Sequence, residues 1–135
     1  MKPNTFRCLV ILSFVFSIIA GLVDSFYPSL LPEPLSQAYE NLPLPSALES
    51  PVWLVIFGSW LLLGLAGMVG LIFFKNWARF LSLYTTILSF FLLPLLGPGL
   101  ASGWAAAFYN ASFIMWGAVL AVAYYSPLAD RFNAK

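Results

Sequence analysis

The chain has 135 residues, of which 61% are hydrophobic and 8% charged, with a net charge of +1 and no histidine. An ordinary soluble domain carries about 25% charged residues, and six basic plus five acidic side chains cannot cover the surface of a water-soluble fold this size. The composition marks an integral membrane protein. It offers no clustered cations for nucleic acid, and the lone Cys8 has no partner for an internal disulfide. The absence of histidine removes the usual proton shuttle and the commonest metal ligand. No cofactor, metal or nucleic-acid partner is expected.

Gaps between charges define the spans. Cys8 to Val23 is uncharged and extends at both ends into a first helix over about 6–25. Lys2 and Arg7 before an apolar run also resemble a signal peptide, but no clean small-x-small cleavage site follows, so an uncleaved anchor is expected. Pro51 to Phe74 gives a second span, 51–74, long enough for a hydrocarbon core of ~30 Å at ~1.5 Å per residue. Residues 80–129 carry no charge, too long a stretch for one bilayer crossing. Gly97-Pro98-Gly99 is the hinge that divides it, since proline removes a donor and glycine supplies turn geometry. The result is helices over 80–96 and 101–126. The expected fold is all-α, a single four-helix transmembrane bundle over 1–135.

With the N-terminus inside, Lys2, Arg7, Lys75, Arg79, Arg131 and Lys135 all fall on the cytoplasmic side, while Asp24, Glu33, Glu40 and Glu49 fall outside. Every basic residue agrees with the positive-inside rule, so both termini are expected in the cytoplasm. Tyr27, Trp53 and Trp104 fall at outer boundaries and Trp77, Tyr124 and Tyr125 at inner ones, as interfacial anchors do. Trp60 and Trp116 sit deeper, for packing or lipid contact. The outer loop, 26–50, is rich in proline, and Leu35, Ala38, Tyr39 and Leu42 recur at helical spacing. That pattern predicts a short amphipathic helix on the membrane surface; a cap that merely connects two spans is the plainer alternative.

Spans associate through small residues and interhelical hydrogen bonds. The candidate inward stripes are Ser13, Ser17, Gly21 and Asp24; Gly64, Gly67 and Gly70, with Ala66 and Gly70 as a small-xxx-small pair; Ser82, Thr86 and Ser89, joined by Thr85; and Gly103, Ala107, Ala111, Ala118 and Ala121. Packing within the chain is the first reading of the glycines and dimerisation the second. The Ser82/Thr86/Ser89 stripe is expected to bond back to its own helix, and Pro94 to kink the third span. Asp24 reads as an interfacial cap; turned inward, it would meet Tyr27, Tyr109 or Asn110. Asn110 is expected to be buried and to make an interhelical hydrogen bond, so the sequon Asn110-Ala111-Ser112 is accidental. Lys75 to Arg79 reads as a tight turn. Tyr124 to Leu128 ends the last span at Pro127, and a short polar tail follows.

Asn76-Trp77-Ala78-Arg79 and Ser126-Pro127-Leu128 give a general resemblance to small four-span bacterial inner-membrane proteins, a likeness of membrane interfaces that implies no activity. The expected role is non-catalytic: an accessory protein binding another membrane component, one version being an immunity-type protein that captures a toxin within the lipid. The alternative is a small-solute or lipid-handling transporter acting as an oligomer, with Ser82, Thr86, Ser89, Asn110 and Asp24 along a polar path. A lipid enzyme ranks last, because Glu33, Glu40 and Glu49 form no fixed pair and only Asp24 approaches the membrane. The expected partners are the lipid bilayer and either a second membrane protein or another copy of the chain.

Overall fold

A computed structural model describes residues 2–27, 30, 32–34, 37, 41, 50–97 and 99–133. They form an all-helical structure with four helices long and apolar enough to cross a membrane. We label these α1 (Pro3–Phe26), α2 (Pro51–Ile72), α3 (Asn76–Leu92) and α4 (Gly103–Tyr125). A 3₁₀ turn, Leu93–Leu96, continues α3, and a short helix α5 (Ala129–Asn133) closes the described chain. The amphipathic helix expected around Leu35, Ala38, Tyr39 and Leu42 lies outside the described residues, as do Glu40, Glu49 and Pro98.

Proline opens α1 and α2 at a position where its missing N–H costs nothing. The α2–α3 connection is tighter than the sequence suggested, because Asn76 to Arg79 already form the first turn of α3. The turn itself is Phe73-Phe74-Lys75. The Lys75 amide donates to Gly70 O at 2.8 Å and the Phe74 amide to Leu71 O at 3.1 Å, the paired bonds of a Schellman motif. Phe74 occupies the left-handed position, with φ 56°, where glycine is usual. Its ring repays the strain by packing 5.5 Å from Phe6 and 5.2 Å from Phe132. Beyond α3, Pro94 tightens the helix into the 3₁₀ turn, and Gly97 ends it at φ 83°, ψ −170°, a conformation essentially confined to glycine.

The helices pack as two antiparallel pairs, α1 with α4 and α2 with α3, and contacts between the pairs are sparser. Between α2 and α3 the glycines permit close approach. A Cβ on Gly67 would lie 2.7 Å from Ser82 Oγ, and one on Gly70 would lie 2.6 Å from Ala78 Cβ. Ala66, the expected partner of Gly70 in a small-xxx-small pair, is exposed. The α1–α4 pair buries Phe6, Val10, Ser13 and Ala20 against Ala105, Ser112, Val119 and Ala123, and the Ser112 hydroxyl donates to Ser13 O at 2.8 Å.

The stripe expected to turn α4 inward is corrected: Gly103, Ala107, Ala118 and Ala121 are exposed, and only Ala111 is partly buried. In lipid the two faces of a span differ little in apolarity, so small residues do not by themselves identify the packed face. Asn110 is corrected with them as far as the single chain goes: it is exposed, and its side chain makes no hydrogen bond to another helix among the described residues.

The core is concentrated at the end of the molecule where α1 begins and α5 lies. There Phe6, Val10, Leu71, Ala78, Val119, Ala123, Leu128 and Phe132 join every helix in one cluster. Phe132 is 2% exposed, so the tail read as polar supplies a core residue. At the opposite end, Phe57 and Leu92, with Trp53, Trp60 and Leu96, join α2 to α3 and its 3₁₀ extension.

Candidate functional site

Between the two pairs lies a cleft of about 360 Å³ lined by all four long helices. Ser13 and Ser17 come from α1, Trp60, Gly64 and Met68 from α2, Thr86 and Ser89 from α3, and Tyr109, Phe113 and Trp116 from α4. The lining positions fall near the middle of each helix. The wall is largely apolar, with hydroxyls distributed along it.

Most of those hydroxyls are already committed. Thr86 Oγ1 donates to Ser82 O at 2.7 Å, and Ser89 Oγ to Thr86 O at 2.6 Å. This is the back-bonding expected of serine and threonine within a helix. Thr86 Oγ1 also accepts the Trp116 indole N–H at 2.8 Å, which bridges the two pairs. Trp60 Nε1 donates to Thr85 O at 3.1 Å. Both deep tryptophans thus serve packing and line the cleft. Ser17 and Tyr109 also line the cleft, and their hydroxyls have no hydrogen-bond partner among the described residues, which leaves each with an uncommitted proton.

Of the residues singled out from the sequence, the cleft brings together Ser13, Ser17, Gly64, Thr85, Thr86 and Ser89, with Trp60, Tyr109 and Trp116. Gly64 leaves open space, since a Cβ there would meet nothing within 4 Å. Gly67, Gly70 and Ser82 are instead sealed in the α2–α3 contact. Ser82 Oγ is buried there without a hydrogen-bond partner among the described residues. Asn110 points away from the cleft, on the exposed side of α4.

Asp24 also lies apart, and acts as a cap. Its Oδ2 accepts the backbone N–H of Ser102 at 2.8 Å, the N-cap residue of α4, whose first turn holds no acidic residue. A carboxylate there compensates the positive end of the helix dipole. The partners expected for an inward Asp24, Tyr27, Tyr109 and Asn110, are not used.

Two arginines do the converse at the other end of the bundle. Neither α2 nor α4 has a basic residue in its last turn, and each receives one from elsewhere. Arg7 Nε donates to Ile72 O at 3.0 Å and stacks over Phe74 at 5.4 Å. Arg79 is 7% exposed. It donates to Ala123 O at 3.4 Å, to Asn133 Oδ1 at 2.7 Å and to Asn76 Oδ1, with Phe132 5.1 Å and Tyr124 5.6 Å from its guanidinium. The sequence placed Arg79 in a tight turn on the cytoplasmic side, whereas the structure makes it the polar centre of the knot that holds α5. The signal was indirect, since a C-terminal carbonyl of a span needs a donor and arginine supplies several in one plane.

Among the described residues no group of His, Cys, Asp and Glu is placed to hold a metal ion. No protein-family model, curated protein or solved structure matches the chain, so its chemistry is read from its own residues.

Proposed function

We propose that the chain is a non-catalytic accessory protein of a bacterial inner membrane, crossing it four times with both termini cytoplasmic, and that it handles a lipid-like molecule in the cleft between its helix pairs. The basic residues grouped toward one end of the spans support the orientation. The single observation that carries the function is the cleft: about 360 Å³, lined by all four long helices. Small-molecule sites begin at about 300 Å³. A transmembrane helix, ~10 Å across and ~30 Å long, needs several times that volume, so the cleft favours an acyl chain or similar amphiphile over a captured protein segment. The immunity-type version therefore draws no support from it. The apolar part of the ligand would lie against Met68, Phe113 and Trp116, and a carbonyl on it would accept from the free hydroxyls of Ser17 and Tyr109. The lipid-handling transporter expected from sequence shares this binding step and uses Thr86 and Ser89, but not Asp24 or Asn110.

Gly64→Leu tests the proposal, because it fills the cleft from a position with room for a side chain. The full chain is purified in mild detergent and its retained lipids are measured by mass spectrometry. The wild type should retain one amphiphile near stoichiometrically, and Gly64→Leu at least about tenfold less at unchanged thermal stability. Equal retention by both proteins, or only a bulk-lipid profile in the wild type, overturns the reading.

A further inference from the structure

The exposed side of α4 carries a second message, independent of the cleft. Gly103, Ala107, Asn110, Ile114, Gly117 and Ala121 alternate at spacings of four and three and are all exposed. At 3.6 residues per turn they form one stripe, opposite the buried Ala105, Ser112, Val119 and Ala123.

Asn110 lies seven residues inside α4, roughly 10 Å along the helix from Gly103, and its side chain is too short to reach headgroup water as a lysine would. It has no hydrogen-bond partner among the described residues. A bare carboxamide in hydrocarbon costs several kcal/mol. The glycines add a separate observation. A Cβ on Gly103 or Gly117 would meet nothing within 4 Å, so, unlike Gly67 and Gly70, neither is required by packing inside the chain. Glycine within a helix costs about 1 kcal/mol relative to alanine, and close approach by another helix is what Gly117 would offer in return.

We propose that α4 forms a parallel homodimer through this stripe, with the two Asn110 carboxamides hydrogen-bonded across the two-fold axis. The occupant is a second copy because a carboxamide is both donor and acceptor. Two copies with the same membrane orientation place theirs at the same depth, facing one another. The 3–4 alternation selects a left-handed crossing. The cleft side of α4 stays free, so dimerisation and ligand binding can fail separately.

The test measures dimerisation of the full chain in lipid vesicles by energy transfer across a range of protein-to-lipid ratios. The wild type should dimerise, and Asn110→Leu should weaken association roughly 3- to 20-fold, the range of membrane hydrogen bonds. Gly117→Ile should weaken it as well, by holding the backbones apart. In a Cys8→Ser background, Ile114→Cys should form a disulfide-linked dimer on oxidation, whereas Leu62→Cys, exposed on α2, should not. A monomeric wild type, dimerisation indifferent to both substitutions, or equal cross-linking at Leu62 and Ile114 overturns the proposal.

Discussion

Three glycines on one helix face three different surroundings, so alanine substitution along α2 isolates what close packing contributes to this fold. At each site a helix interior gains about 1 kcal/mol from the change, and that gain cancels when the variants are compared with one another. At Gly64 the new methyl enters open space. At Gly67 it lies 2.7 Å from Ser82 Oγ, which can turn aside, although Ser82 N at 3.4 Å leaves little slack. At Gly70 it lies 2.6 Å from Ala78 Cβ and 2.8 Å from the Trp77 ring. The Ala78 methyl has no rotamer to escape into. Carbon contacts are comfortable at about 3.5–4.0 Å, so α2 and α3 must separate by roughly 1 Å, beside a turn that ties them together. Overpacking of this kind costs about 1–3 kcal/mol. Gly70→Ala should therefore be less stable than Gly64→Ala by about that amount, with Gly67→Ala between them and restored by adding Ser82→Ala. Equilibrium unfolding in mixed micelles, followed by tryptophan fluorescence and near-ultraviolet circular dichroism, measures the series. If Gly70→Ala matches Gly64→Ala to within about 0.5 kcal/mol, the close contact between α2 and α3 is not a constraint on the sequence and the reasoning fails.

Arg79→Lys should cost about 2–3 kcal/mol despite conserving charge, because an ammonium cannot satisfy Asn76, Asn133 and the Ala123 carbonyl together; thermal unfolding of the purified protein checks it. Asp24→Asn keeps an acceptor for the Ser102 amide and loses only the charge at the α4 N-terminus, about 0.3–1 kcal/mol, whereas Asp24→Ala leaves that amide without its acceptor and should cost about 1–2 kcal/mol. Equal losses for the two would mean the hydrogen bond contributes nothing. Trp116→Phe removes the donor to Thr86 and should cost about 1 kcal/mol, a loss that Thr86→Val should not deepen if the bond alone accounts for it.

The spans were legible because charge is so scarce that each gap outlines a helix, and because Pro51 and Gly97 punctuate them. The α2–α3 turn was misplaced for a physical reason: the residue in the left-handed position is Phe74, with no glycine or asparagine to advertise it. The rotation of α4 was illegible because water does not choose between its faces. Gly103, Ala107 and Ala121 look like packing residues, but Ala105, Ser112 and Val119 are the ones covered. Ser13, Ser17, Gly64, Thr85, Thr86 and Ser89 of the cleft were legible as small or hydroxyl stripes, but the α4 wall was not, since it turns on that rotation. Arg79 was missed because Ala123 and Asn133 are 44 and 54 residues away in sequence. A charge satisfied at that distance reads as part of a turn until the chain is folded.

The uneven distribution of the core predicts how the cleft would open. Hydrogen bonds between the pairs run from Arg7 to Ile72, from Arg79 to Ala123 and Asn133, and from Trp116 to Thr86. Among the described residues none lies farther toward the Phe57–Leu92 end, where the apolar cluster joins α2 to α3 and its 3₁₀ extension. The pairs are thus held together chiefly around Phe132, edge-on to Phe6 at 5.9 Å and packed on Phe74. Phe132→Ala should cost about 3–5 kcal/mol, and most of that loss should fall on docking between the pairs. Electron-resonance distances in a Cys8→Ser background separate the two effects. Labels at Leu22 on α1 and Leu54 on α2, both exposed, report across the pairs; labels at Leu54 and Phe91, exposed on α3, report within one. Phe132→Ala should broaden the first distribution and leave the second narrow. If both broaden alike, the bundle loosens as one body and the cleft is not bounded by two separable units.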